Sequence, residues 1–132
     1  MRTGATFRLF GDDRLTAADV TARLGLAPTS DHEAGSRKGP RSPVRTSSGW
    51  FLSTGTDDGE ELSAQLQTLL DELEPLASVL WDLVSMGYEA NWFCYVGSHA
   101  TEHAAELDRA LLARLARLPG DLWLDIYGDE YD

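Results

Sequence analysis

The chain has 132 residues, of which 42% are hydrophobic, including four Trp, four Tyr and four Phe. That supplies one real core and argues against intrinsic disorder. Twenty-two acidic against eleven basic side chains leave a formal charge of −11, a repulsive field for nucleic acid and anionic lipid alike, so neither is expected as a partner.

The single cysteine, Cys94, lies in the apolar run Trp92-Phe93-Cys94-Tyr95-Val96, where a thiol behaves as a small buried hydrophobe, and a disulfide scaffold is excluded. No stretch has the length of a secretory leader or a membrane span, which gives a cytoplasmic expectation.

Ala5 to Phe10 alternates Phe7 and Leu9 against Arg8 and Phe10 at the two-residue period of a strand. After Gly11-Asp12-Asp13, Thr16 is placed to cap a helix, with Asp19 at the capping-box position and Leu15 and Val20 spaced as a hydrophobic staple. Gly25, followed by Leu26 and Pro28, closes that helix after two turns. From Ala27 to Gly49 the chain is rich in Ser, Gly, Pro and Arg without apolar period, a long connection of the kind that is often functional or mobile.

A second strand is expected over Trp50 to Thr54 and a long helix over Glu60 to Met86, where Leu62, Leu66, Leu69, Leu70, Leu73, Leu80 and Leu83 recur at helical spacing. Pro75 predicts a kink or break in it. Tyr88 to Val96 is apolar on both faces and reads as a central strand, a third helix is expected from about Glu102 to Leu118, and Leu122 to Tyr127 is the last strand. With no repeat and no linker, residues 1–132 form one domain. The expected architecture is α+β: a four-stranded, mixed, mainly antiparallel sheet with a long kinked helix and two shorter helices. The alternative is a small α/β layer built from crossover units.

The ordered motifs Phe7-Arg8-Leu9-Phe10-Gly11-Asp12-Asp13, Ala22-Arg23-Leu24-Gly25-Leu26-Ala27-Pro28-Thr29, Arg37-Lys38-Gly39, Gly49-Trp50, Trp92-Phe93-Cys94 and Leu124-Asp125-Ile126-Tyr127-Gly128 span nearly the whole chain. Together they resemble a bacterial family of small uncharacterised proteins, domain of unknown function 4279. The resemblance implies identity and carries over no reaction, cofactor or active-site residue. Ser98 to Glu106 departs from the family pattern, in which a glycine-rich turn is more usual.

Three groups of residues bear on chemistry. Strand parity places Arg8, Asn91, Phe93, Tyr95, Trp123, Asp125 and Tyr127 away from Leu9, Trp92, Leu124 and Ile126. If helices leave that face open, it is an aromatic-lined ligand groove. The plainer expectation is that helices cover it and Arg8 pairs with Asp125. Arg37, Lys38, Arg41 and Arg45 form a basic loop in a chain with no Lys or Arg between Ser47 and Asp108, and could grip an anion or a partner's carboxylates; a solvated connector is the plainer account.

Gly11-Asp12-Asp13 and Gly128-Asp129-Glu130 would meet at one sheet edge if the first and last strands were parallel neighbours. Asp12, Asp13, Asp129 and Glu130 would then suit a divalent cation, the one cofactor entertained; ordinary turn chemistry is the alternative. His99 and His103 lack the rest of a zinc motif, and Asp31-His32-Glu33 has no accompanying nucleophile motif. The expected function is therefore a non-enzymatic protein-binding module, immunity-like in neutralising a basic partner, with a small-ligand or divalent-metal-dependent enzyme as the alternative. Oligomeric state is left open.

Overall fold

The computed structural model describes residues 2–58, 61–97 and 104–128. Its strands are β1 (Arg2–Phe10), β2 (Ser30–His32), β3 (Gly49–Asp58), β4 (Glu89–Gly97) and β5 (Asp121–Tyr127). Its helices are α1 (Ala17–Leu24), α2 (Leu62–Leu73), α3 (Ala77–Met86) and α4 (Arg109–Ala116), with a 3₁₀ turn at Glu74–Leu76 between α2 and α3. The strands form one sheet in the order β2-β3-β1-β4-β5. Every pair is antiparallel except β4 with β5. The α+β expectation holds. The β4-α4-β5 passage is the one parallel crossover, and it is what made an α/β layer a reasonable alternative.

A fifth strand joins the four expected, because Ser30–His32, inside the long Ser- and Pro-rich connection, pairs with β3. Three residues are too few to show an alternating pattern in the sequence. The connection is pinned at further points: the Thr29 amide donates to the Phe51 carbonyl at 2.8 Å, Gly35 N–H to Arg45 O at 2.8 Å, and Arg45 N–H to Ser36 O at 2.9 Å.

Odd residues of β1 and even residues of β4 face the helices. Ala5, Phe7, Leu9, Trp92, Cys94 and Val96 join Trp50 and Leu52 in one core with α1 (Ala17, Val20, Leu24), α2 (Leu62, Leu66, Leu69, Leu70, Leu73), α3 (Leu80, Leu83) and α4 (Leu111, Leu115). All four helices thus cover the same side of the sheet. Burying each of these leucines contributes about 1.5–3 kcal/mol, which is why the helical stripe selects this face so firmly. The two polar layers within the core are satisfied. Gln65 donates to the Thr3 carbonyl at 2.7 Å and accepts from Thr54, joining α2 to β1 and β3; Trp50 Nε1 donates to Thr21 Oγ1 at 3.1 Å.

Helix ends follow local chemistry with two departures from expectation. Thr16 Oγ1 accepts from Asp19 N–H at 3.1 Å, and Gly25 ends α1 with φ 64°, a left-handed conformation that glycine adopts without steric cost. Asp19, however, does not return to the Thr16 amide; its carboxylate pairs with Arg23 at 2.9 Å. The remaining N-terminal donors are taken from across the molecule, because Glu33 accepts from Ala17 N–H at 2.8 Å and Ala18 N–H at 2.9 Å.

The third expected helix is shorter than its leucine spacing implied. Residues 104–108 are non-helical, and α4 starts at Arg109 because Asp108 caps it, accepting from Leu111 N–H at 2.8 Å. Pro75 acts as predicted, converting the middle of the long helix into the 3₁₀ turn. Arg114 clamps α4 to that junction, donating to Glu74 at 2.6 Å and Asp71 at 2.8 Å. The Arg114 bond holds the Glu74 carboxyl below its ordinary range.

Because Glu33 supplies both bonds and a negative charge at the α1 N-terminus, Glu33→Ala should destabilise the fold by about 1–2 kcal/mol. Urea denaturation of the variant beside wild type measures the difference; an unchanged midpoint would contradict the capping role.

Candidate functional site

The face of the sheet opposite the helices is open. The expectation that helices cover it is overturned: Thr6, Arg8, Phe10, Phe51, Asn91, Phe93 and Tyr95 are only half-buried although they stand on the three inner strands. The reason is counting: all the helical leucine stripes already pair with the other face, and no further amphipathic element exists among the described residues to cover this one.

Strand register assembles the site at the centre of this face. Arg8 stands opposite Asn91 on β4 and Phe51 on β3, and Phe93 stands opposite Trp123 on β5. Arg8 Nε donates to Asn91 Oδ1 at 2.6 Å. Its guanidinium carbon lies 4.5 Å from the Phe93 ring centre, 5.2 Å from Phe10 and 5.7 Å from Trp123, all within cation–π range. Phe10 in turn meets Phe51 edge-on at 5.6 Å, and Phe51 meets His32 at 5.6 Å.

The expected Arg8–Asp125 pair is not formed. Asp125 lies on β5, opposite Tyr95 in register, and its Oδ2 accepts from the Tyr127 hydroxyl at 3.1 Å. No carboxylate among the described residues pairs with Arg8, and burial lowers the guanidinium somewhat from its ordinary value while leaving it charged. The sequence-expected cluster therefore divides in two. Arg8, Asn91, Phe93 and Trp123 come together; Tyr95, Asp125 and Tyr127 form a separate group further along, with the two tyrosine rings 5.3 Å apart.

A hollow of about 510 Å³ opens beside Arg8, where β1 runs out into the turn before α1. Arg8, Asn91, Trp123, Phe10, Glu89 and Asp12 line it. Gly11 forms its floor and tolerates no side chain there, since a Cβ would lie 2.1 Å from the Leu15 carbonyl oxygen. Parity reasoning missed Glu89, which alternates in phase with Asn91 and Phe93, and Phe51, on a strand to which it assigned no face; His32 was weighed for acid–base chemistry, and its packing on Phe51 required the short strand β2.

The carboxylate pairing proposed for a cation is undone by topology. β1 and β5 are separated by β4 and run antiparallel to each other, so Gly11 and Gly128 lie at opposite ends of the sheet. Asp12 instead accepts from Arg14 N–H at 2.9 Å and Leu15 N–H at 2.8 Å, which lowers its carboxyl from the ordinary value. Asp13 is exposed beside it. Asp129 and Glu130, and likewise His99 and His103, lie outside the described residues, and among the described residues no group of three or more His, Cys, Asp or Glu is placed to hold a metal ion.

In the basic loop, Arg37 donates to the Ser42 carbonyl at 3.0 Å and Arg45 to Ser36 Oγ at 3.1 Å, so these two brace the loop itself. Lys38 and Arg41 are exposed. No helix of the described chain is long and apolar enough to cross a membrane.

Two outcomes test this geometry. Among the described residues Arg8 makes one side-chain hydrogen bond and no ion pair, so Arg8→Met, which keeps the apolar stem, should change folding stability by less than about 1 kcal/mol in urea denaturation; a larger loss would make Arg8 a structural residue. Burial lowers His32 from its ordinary value. The unfolded chain therefore takes up the proton first as pH falls, so stability is full above the ordinary histidine range and declines as pH drops through it toward the folded value. Thermal melts across that window should show the decline, and His32→Phe should remove its share.

No curated protein and no solved structure matches the chain. The model of the family described as Domain of unknown function (DUF4279) matches residues 1–129, nearly the entire length, and the chain belongs to that family.

Proposed function

We propose that the chain is a non-enzymatic protein-binding module that receives its partner on the open face of the sheet, in the manner of an immunity protein. The observation that carries this reading is Arg8, a half-buried guanidinium ringed by Phe10, Phe93 and Trp123 and with no carboxylate partner among the described residues. Its Nε donates to Asn91, which leaves both Nη groups to donate to a partner's carboxylate in fork geometry, with the rings providing apolar contact around it. Aromatic residues and arginine together are the composition of interface hot spots.

The net charge of −11 would steer a basic partner toward this surface at long range. Lys38 and Arg41, exposed on the loop, offer a second contact of opposite sign to the body. Burial pushes the Cys94 thiol up to about 12, and Ser48 Oγ donates to the Leu15 carbonyl at 2.6 Å, so neither is poised as a nucleophile.

A second reading, a small anionic ligand, is supported by the hollow of about 510 Å³ at Arg8, which lies within the size range of small-molecule sites. Affinity capture with wild type, Arg8→Ala, Trp123→Ala and Lys38→Ala baits separates them. A stoichiometric basic protein held by wild type and lost from the Arg8→Ala and Trp123→Ala baits, with unchanged melting temperatures, is the expected result. Equal retention by all baits would overturn the site. Capture of no protein, together with a rise in melting temperature on adding benzoate that disappears in Arg8→Ala, would establish the small-ligand reading instead.

A further inference from the structure

The sheet ends at β5, whose outer edge has no neighbouring strand among the described residues. On the helix side of the adjacent β4, Trp92, Cys94 and Val96 are fully covered, but the same apolar layer continues onto β5 and stops in water: Leu124 is 49% and Ile126 68% exposed. On the other side of β5, Trp123 and Tyr127 are 55% and 49% exposed. Natural edge strands usually carry Lys, Pro or a bulge that blocks pairing. β5 reads Asp121-Leu122-Trp123-Leu124-Asp125-Ile126-Tyr127, with none of these, and its only charges are two aspartates.

We propose that this edge is a homodimer seam in which β5 of two copies pair antiparallel about a twofold axis through Leu124. The occupant is a second copy because the strand is complementary to itself in that register and in no neighbouring one. With Leu124 opposite its own counterpart, Leu122 faces Ile126, Trp123 faces Asp125 and Asp121 faces Tyr127, so all seven residues of the strand are paired. Opposed residues share a face of the sheet. On the helix side, Leu122, Leu124 and Ile126 from both copies make one aliphatic row that removes the exposed Leu124 and Ile126 from water.

On the open side, each aspartate meets an aromatic ring and no carboxylate meets a carboxylate, the condition under which a chain of charge −11 can associate with itself. Sliding the partner by two residues in one direction sets Asp121 opposite Asp125. Sliding it two the other way sets Asp125 opposite itself, and like charges directly opposed are destabilising. A slip of one residue turns the aliphatic row of one copy onto the open face of the other. The pairing is isologous and closed, so it stops at a dimer. It also joins the two open faces into one continuous surface with Trp123 of each copy beside the seam.

Sedimentation velocity of the full chain over a micromolar concentration series tests the proposal. Wild type should sediment as a dimer that dissociates on dilution, and Leu124→Lys or Ile126→Lys, both at exposed positions, should weaken the dimer on the order of a hundredfold while circular dichroism and melting stay unchanged. The register has its own readout. Leu124→Cys should form a disulfide-linked dimer under mild oxidation, because the two copies of residue 124 face each other, whereas Asp121→Cys should not. A monomer at every concentration, a dimer indifferent to both lysine substitutions, or failure of Leu124→Cys to cross-link would each overturn the seam.

Discussion

Everything in this molecule follows from the way β1 divides its side chains. Thr3, Ala5, Phe7 and Leu9 point into the helical layer and are buried, while Thr6, Arg8 and Phe10 point away and are half-exposed. β1 is the middle strand, with β3 on one side and β4 on the other, so this division propagates in register to both neighbours. All four helices contribute leucines to the buried side. A sheet covered on one face only is a common solution for a chain of this size, and it obliges the other face to be tolerable to water. Here that face is polar at Thr6, Ser53 and Asn91, aromatic at Phe10, Phe51, Phe93 and Tyr95, and charged at its centre.

The charged centre explains why the aromatic rings can stay half-exposed. A guanidinium stacked on Phe93 and near Phe10 and Trp123 covers ring surface that would otherwise meet water, and Asn91 fixes its angle. The supports are on the far side of the sheet. Gln65 ties α2 to Thr3 and Thr54, Trp50 ties β3 to α1, and Glu33 brings the long connection back to the α1 N-terminus. The open face is therefore mounted on a stiff layer, and its residues sit on strands, which hold geometry more closely than loops do.

Much of this was legible in the residues themselves. Two-residue alternation in β1, β4 and β5 placed Arg8, Asn91, Phe93 and Trp123 on one face, since side-chain direction in a strand depends only on parity. Thr16, Gly25 and Pro75 marked helix limits through local sterics and hydrogen bonding, and the structure keeps them. Other features were out of reach of local patterns. β2 is three residues long and exists because β3 offers it an edge. The start of α4 at Arg109 reflects the Asp108 cap, a local hydrogen bond that leucine spacing does not report. Asp12 looked like a cation ligand by type and is consumed by its own turn.

What the sequence by itself determined is the face on which each strand residue lies and the stripe that each helix buries, because both depend on periods of two and 3.6 residues that any local segment carries. Only the tertiary structure decided which strands are neighbours and which face the helices choose. That choice separated Gly11 from Gly128 by the full length of the sheet, left Arg8 without Asp125, and put β5 at an edge with its leucine and isoleucine in water. The physical reason is that strand order and layer assignment minimise exposed apolar area over the whole chain at once, a sum to which each residue contributes and which no single segment contains.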